Sequence, residues 1–276
     1  MSRFSLSKLS RCRWNMLDLI SLTGRNSVPT YIFADVDASL LERLRLVYQK
    51  RGNSIPLAAL LIKAISIAQR SHPQSRAFAL PFGRSAACEE VVAGFTVERL
   101  VDDATNPAVF VGAIAGADTK PLEQISQEME AYEGAEMESV CLLKQQQELS
   151  NLPWLVRHVF LWLGMHSAGI RSKYTLPTFM ISSASKFGSK LLIPPSITTS
   201  TFGVGSIEPR PVVKNGQIEI RPMLTIALNF DHSVIDGAPA ARFLKDVCDL
   251  IESKLANYLP GVLDEIEEPV SNLAPA

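Results

Sequence analysis

The stretch FDHSVIDGAPAARF, Phe230 to Phe243, sets one of the chain's four histidines between two aspartates and just ahead of a glycine. An apolar run gives way there to helical spacing. A histidine with an ordinary pKa of about 6.5 takes up a proton at neutral pH and returns it, so His232 is a candidate general base. Asp236 follows four residues on, and Gly237 permits a close or left-handed backbone, so the turn could hold the imidazole in one tautomer. On spacing alone, a histidine merely satisfied within a turn is an equally good reading.

A base needs a proton donor that becomes a nucleophile. The chain has no GxSxG elbow. Cys12, Cys88, Cys141 and Cys248 form no CxxC pair and no recognisable catalytic context. The nucleophile is therefore expected to arrive with a substrate, and no metal site is expected. His72, in RSHPQ, reads as a surface or capping residue at a helix end, and His158 and His166 as packing or partner contacts.

The elements that must position His232 follow from periodicity. VPTYIFADVD alternates, with Tyr31, Phe33 and Asp35 on one face and Ile32, Ala34 and Val36 on the other, and then Leu40, Leu41, Leu44 and Val47 take helical spacing. Asp37 or Ser39 can cap that helix. Leu57 to Ala68 is apolar nearly all round and predicts a buried helix that stops at His72–Pro73. VVAGFTVERLV and PAVFVGAIAGA read as strands separated by DDATNP, and KPLEQISQEMEAYEGAEMESVCLLKQQQEL as charged helix. TFMISSAS and SITTSTFGVGSI are strands. PVVK and QIEIRPMLTIALNF form a hairpin around Asn215–Gly216, and Pro222 marks an edge or a bulge. The last helix, from Ala238, should turn Ala241, Leu244, Val247, Cys248 and Ile251 inward.

One helix is out of pattern. Leu152, Leu155, Val156, Val159, Phe160 and Leu163 form an apolar stripe, while Trp154, Leu161, Trp162 and Met165 occupy most of the opposite side. It is expected to find cover all round, from a core, a subunit, an acyl chain or a membrane surface. Membrane binding is weakly supported, because only Arg157 and His158 are polar there.

The 276 residues, 47% of them hydrophobic, can bury a sizeable core. With 27 Lys and Arg against 28 Asp and Glu, the net charge of -1 gives no electrostatic support for nucleic acid or an anionic membrane. No apolar run reaches the ~18 residues of a membrane span. The opening MSRFSLSKLSRCRWNML is basic, serine-rich and free of acids, as a mitochondrial leader would be. Dispersed cysteines suit a reducing compartment. A cytoplasmic location is expected, with the mitochondrial matrix second.

DHSVIDGAPAARFL resembles the DHRxxDGxxAAxFL signature of the acyltransferase catalytic domain of 2-oxoacid dehydrogenase complexes, a family that shares its fold with chloramphenicol acetyltransferase. Asp231 before the histidine matches the dehydrogenase-complex branch. LSKLSRCRWNMLDLISLTGRNSVPTYIFADVDASLLERLR resembles the family's opening segment, SIPLAALLIKAISIAQRSHPQSRAF its buried helix, and FMISSAS its FTISNLG or FTISSLG stretch.

The resemblance implies an α/β fold, a two-layer sandwich with a mixed sheet and helices packed on one face. It implies one catalytic domain over 1–265, an apolar insertion near 151–176 and a flexible tail over 266–276. The activity it implies is transfer of an acyl group between thiol carriers, with His232 as base, Ser182 as oxyanion donor and Asp236 as an orienting or structural carboxylate. Ser183, Asn229, Asp231 and Trp162 are candidate substrate contacts.

Coenzyme A or a lipoyl group would carry the acyl group, without metal. A trimer, or a multiple of trimers, would set His232 of one chain against Ser182 of the next. The chain opens directly on the catalytic segment, so a separate lipoyl or acyl carrier protein is an expected partner. Ser233 stands for the family's usual Arg, and the missing lipoyl domain, Ala184–Ser185 for the family's Leu-Gly and the apolar insertion keep a second expectation open: a non-catalytic scaffold subunit with the same trimeric core.

Overall fold

The computed structural model describes residues 9–100, 108–171 and 176–266. Strand β1 (Pro29–Asp37) turns Ile32, Ala34 and Val36 toward the main core and leaves Tyr31 and Phe33 half-exposed on the other face. It follows helix α1 (Arg11–Asn26), whose N-cap Ser10 accepts from the Arg13 N–H at 3.2 Å. Helix α2 (Ser39–Lys50) buries the predicted Leu40, Leu41, Leu44 and Val47. Its N-cap is Ala38, and Asp37 instead accepts from the Ser39 N–H at 2.9 Å.

Helix α3 (Leu57–Arg70) is buried from Ala59 to Gln69. Lys63 Nζ donates to the carbonyls of Asp118 (2.9 Å) and Lys120 (2.6 Å), and Gln69 exchanges hydrogen bonds with Thr178, while the buried Ser66 hydroxyl has no partner among the described residues. Burial pulls the Lys63 pKa below the ordinary lysine value.

A short hairpin follows, β2 (Ala77–Leu80) with β3 (Arg84–Ala87). Next come β4 (Val92–Arg99) and β5 (Ala108–Ala115), paired antiparallel. The charged stretch read as helix divides into α4 (Leu122–Gly134) and α5 (Cys141–Asn151). Helix α6 (Trp154–His166) is the apolar one, and a short α7 (Ala168–Arg171) follows it.

Strands β6 (Phe179–Ser183), β7 (Ser200–Val204), β8 (Glu208–Lys214) and β9 (Gln217–Asp231) complete the seven-stranded sheet, and α8 (Gly237–Asp249) follows the His232 turn. The strand order is β1-β9-β7-β6-β4-β5, with β6 parallel to both β4 and β7, so the sheet is mixed as expected. The hairpin turns at Asn215–Gly216, both at positive φ. Pro222 pairs with β8 one residue past the last β1 pair, where its carbonyl accepts from the Ala38 N–H at 2.8 Å.

Helices α2, α3, α4 and α8 cover one face of this sheet over a core that includes Phe179, Phe202, Phe230 and Phe243. Of the expected inward residues Leu244 and Val247 are buried, Cys248 packs against the core and Ile251 is buried just past α8; Ala241 is exposed, and Ala240 and Phe243 are buried beside it. A separate cluster, α1, α5 and α6, lies beside the edge strand β5. Gln146 on α5 binds both backbone groups of Val111, donating at 2.7 Å and accepting at 3.0 Å, and so blunts that edge. Residues 267–276 of the expected tail lie outside the described residues.

Candidate active site at the end of strand nine

Strand β9 runs from the hairpin tip through the centre of the sheet and ends at Asp231. The chain is then pinned by three bonds to one carboxylate oxygen. Asp231 Oδ1 accepts from the N–H of Val28 (3.0 Å), the N–H of Ser233 (3.0 Å) and the hydroxyl of Ser233 (2.7 Å). The His232 N–H donates to the Val28 carbonyl at 2.9 Å. This cross-tie to the start of β1 fixes the backbone of the turn. Ser233, which replaces the arginine of the signature, is used within it.

His232 itself is accessible, its ring 5.7 Å from that of Phe230. Its Nδ1 is 3.8 Å from Asp236 Oδ1, too far for a hydrogen bond. Asp236 is the N-cap residue of α8, with an exposed side chain. Gly237 departs from expectation: it is the first helical residue and is absent from the positive-φ glycines, and an added Cβ there would meet open space.

Ser182 and Ser183 end β6. Ser182 Oγ lies 3.4 Å from Thr96 Oγ1, while the Ser183 hydroxyl donates to Ser185 Oγ at 2.9 Å and accepts from the Ser185 N–H. The altered Ala184–Ser185 pair thus forms a closed serine turn beside Ser182.

Register decides which of these residues meet. Ser182 pairs with Gly203, and Gly203 with Ala227 on the antiparallel β9, so His232 lies five residues farther along β9. That is roughly 15 Å along the strand and about 10 Å across two strand spacings. Within one chain Ser182 and His232 therefore sit at opposite ends of the sheet.

The candidate substrate contacts separate as well. Asn229 is buried, and its Nδ2 donates to the Pro194 carbonyl at 3.0 Å, holding the segment that crosses the second sheet face. The same crossing explains Gly203, where a Cβ would collide with the Leu192 carbonyl. Asp231 braces the turn from within. Trp162 is half-exposed on α6 and stacks on His166 at 4.6 Å, away from the His232 turn. His72 is a tertiary pin between helices rather than a cap, its Nε2 2.7 Å from Asp246 Oδ2 on α8.

The expected cover over α6 is not supplied by the described residues. Arg157 is its one buried side chain, bound to Asp18 at 2.6 and 3.0 Å and lying over the Trp14 ring. Trp154, Leu155, Val156, Val159, Trp162 and Leu163 are exposed. Inside this helix, between it, α1 and α5, is a cavity of about 700 Å³ that sequence reasoning missed. Periodicity reports which side chains are apolar, not whether they interlock.

The cysteines offer no ready thiolate at Cys248: burial, reinforced by Glu252 and Asp249, pushes its pKa up to about 12. Among the described residues no cluster of three or more His, Cys, Asp or Glu stands together.

Comparison with known proteins bears on this arrangement. Residues 171–259 match the model of the 2-oxoacid dehydrogenases acyltransferase catalytic domain. The dihydrolipoyllysine-residue succinyltransferase component of the Saccharomyces cerevisiae mitochondrial 2-oxoglutarate dehydrogenase complex is 27% identical over 252 residues, 89% of this chain and 47% of that protein. The chain thus spans about half the length of that relative.

A dihydrolipoamide acetyltransferase of Azotobacter vinelandii superimposes with a TM-score of 0.71 at 22% identity, covering 93% of this chain and 94% of the other. The cubic core of the pyruvate dehydrogenase multienzyme complex gives 0.68 at 22%, with the same coverage. The segment that carries β6 to β9 and the His232 turn is thus similar to the 2-oxoacid dehydrogenase acyltransferase catalytic domain, and the chain has the fold of those catalytic cores.

Proposed function

We propose that the protein transfers an acyl group between a thioester and a thiol, using His232 as general base. The observation that carries this reading is the His232 turn: an accessible imidazole on a backbone fixed by Asp231 and Val28, beside the Asp236 carboxylate, within the matched segment. In the Azotobacter vinelandii acetyltransferase a serine, a histidine and an asparagine four positions beyond that histidine are named for the catalytic mechanism. Ser182, His232 and Asp236 stand in that order and at that final spacing here, with aspartate in place of asparagine.

The step runs as follows. His232 takes the proton from the acceptor thiol, and the thiolate attacks the thioester carbonyl. The Ser182 hydroxyl donates to the oxyanion of the tetrahedral intermediate. The intermediate collapses, the donor carbon–sulfur bond breaks, and the departing thiolate takes the proton back from His232. Asp236, 3.8 Å from Nδ1, is the proposed orienting or structural carboxylate.

Because Ser182 and His232 lie at opposite ends of the sheet within one chain, we assign the complete site to a boundary between two copies, in a trimer or a multiple of trimers. The half-exposed Tyr31 and Phe33 on the second face, and the similarity to a cubic core, support that assignment. Coenzyme A or a lipoyl group is the proposed acyl carrier, with a separate lipoyl or acyl carrier protein as partner, and residues 1–265 the proposed catalytic domain. We place the protein in the cytoplasm, on the strength of its unpaired cysteines.

Thiol release from acetyl-CoA in the presence of dihydrolipoamide tests the reading. His232→Ala is expected to lose roughly 10²–10⁴ in rate while retaining the native oligomer. Wild type and His232→Ala equally inert with every donor, yet equally assembled, would establish a scaffold subunit instead.

A further inference from the structure

The cavity beneath α6 takes no part in the mechanism above. It is bounded by α1, α5, α6 and the second face of the sheet, and it measures about 700 Å³. Protein interiors pack closely and leave few voids larger than a water molecule, whereas spaces of roughly 300–1,000 Å³ are the size of ligand sites. Much of its wall is apolar and rich in methionine, with Met16, Met165 and Met180 beside Leu19, Leu149 and Leu161. Methionine adapts to a flexible guest without fixing its shape.

Shape and polarity give the cavity a direction. It reaches from Asp231 at the end of β9 to Val111 on β5, four strand spacings apart, about 19 Å. At the Asp231 end lies Ser27, whose buried hydroxyl has no hydrogen-bond partner, directly before the Val28 carbonyl that receives the His232 N–H. A second unpartnered buried oxygen, Asn15 Oδ1, belongs to another lining residue. An elongated, half-open apolar cleft with spare polar capacity beside the histidine turn suits a molecule with a polar head and a hydrocarbon tail.

We propose that this cavity binds an unbranched medium- or long-chain acyl group, its carbonyl end toward Ser27 and its tail running under α6 toward Val111. Binding of the chain stands on the cavity alone; its role as the transferred acyl group rests on the acyl-transfer reading.

Gly164 provides the test, because it lines the cavity and a Cβ added there would meet nothing within 4 Å. Gly164→Phe places a large side chain on the cavity wall where its Cβ meets no protein atom, and phenylalanine favours the helix over glycine. The full-length protein is titrated with a fluorescent fatty acid that is then displaced by butanoate, octanoate, dodecanoate and hexadecanoate. Affinity should rise by about fourfold per added methylene until the space is full. Gly164→Phe should weaken dodecanoate by more than about tenfold through steric exclusion, yet leave transfer from acetyl-CoA unchanged.

No binding at any chain length, or equal binding by Gly164→Phe, overturns the inference. The chain-length series needs only the wild type, so it decides even if the variant misfolds. Chain binding without thiol release from any donor would uphold the cavity and sink the acyl-transfer reading; acetyl transfer without chain binding would do the reverse.

Discussion

Helices α3 and α6 are both apolar on nearly every side, yet α3 is buried from Ala59 to Gln69 while α6 buries only Arg157. In α3 the aliphatic residues reach the core, and the buried charge, Lys63, is led out to two carbonyls. In α6 the relation is reversed. The charge points inward to Asp18, most of the aliphatic and aromatic residues point outward, and the inner wall leaves a cavity. Composition sets how much cover a helix needs; the partners its neighbours offer decide whether that cover comes from the same chain. A helix held by an ion pair above a cavity is a place for a guest, whereas α3 has none to admit.

Three substitutions probe this contrast, in falling order of effect. Asp18→Ala leaves the buried Arg157 guanidinium unpaired, at a cost of about 3–5 kcal/mol, and should release α6. Hydrogen exchange should then show lost protection across 154–166 while α3 stays protected; retained protection of α6 would mean the ion pair is not its anchor. Leu61→Ala, at a position 1% exposed, should cost about 3 kcal/mol. That loss should lower the denaturant midpoint without changing the slope. Val159→Ser, on the open side of α6, should change stability by no more than about 0.5 kcal/mol. A loss of several times that value, growing with protein concentration, would mean that a second copy covers the helix.

Local signals made much of the fold legible in advance. Alternation announced β1, the Asn215–Gly216 turn announced the hairpin, and continuous apolarity from Leu57 to Ala68 announced a core helix, because each depends on residues close in sequence. The His232 turn was legible because its aspartates, glycine and small-residue helix form one short motif.

What escaped depended on distant partners. The bond from Asn229 to the Pro194 carbonyl and the tie from Val28 to Asp231 both join residues far apart in sequence. The separation of Ser182 from His232 follows from three-strand register, and the cavity from side chains that fail to interlock. Neither leaves a periodic trace.

The central claim is that His232 works with a serine from a neighbouring copy. Co-assembly of His232→Ala with Ser182→Ala chains tests it directly, since each homogeneous variant lacks one half of every site. The mixture should recover up to about a quarter of wild-type thiol release, the fraction of boundaries that pair an intact histidine with an intact serine. A mixture no more active than the average of the two variants would contradict the shared site.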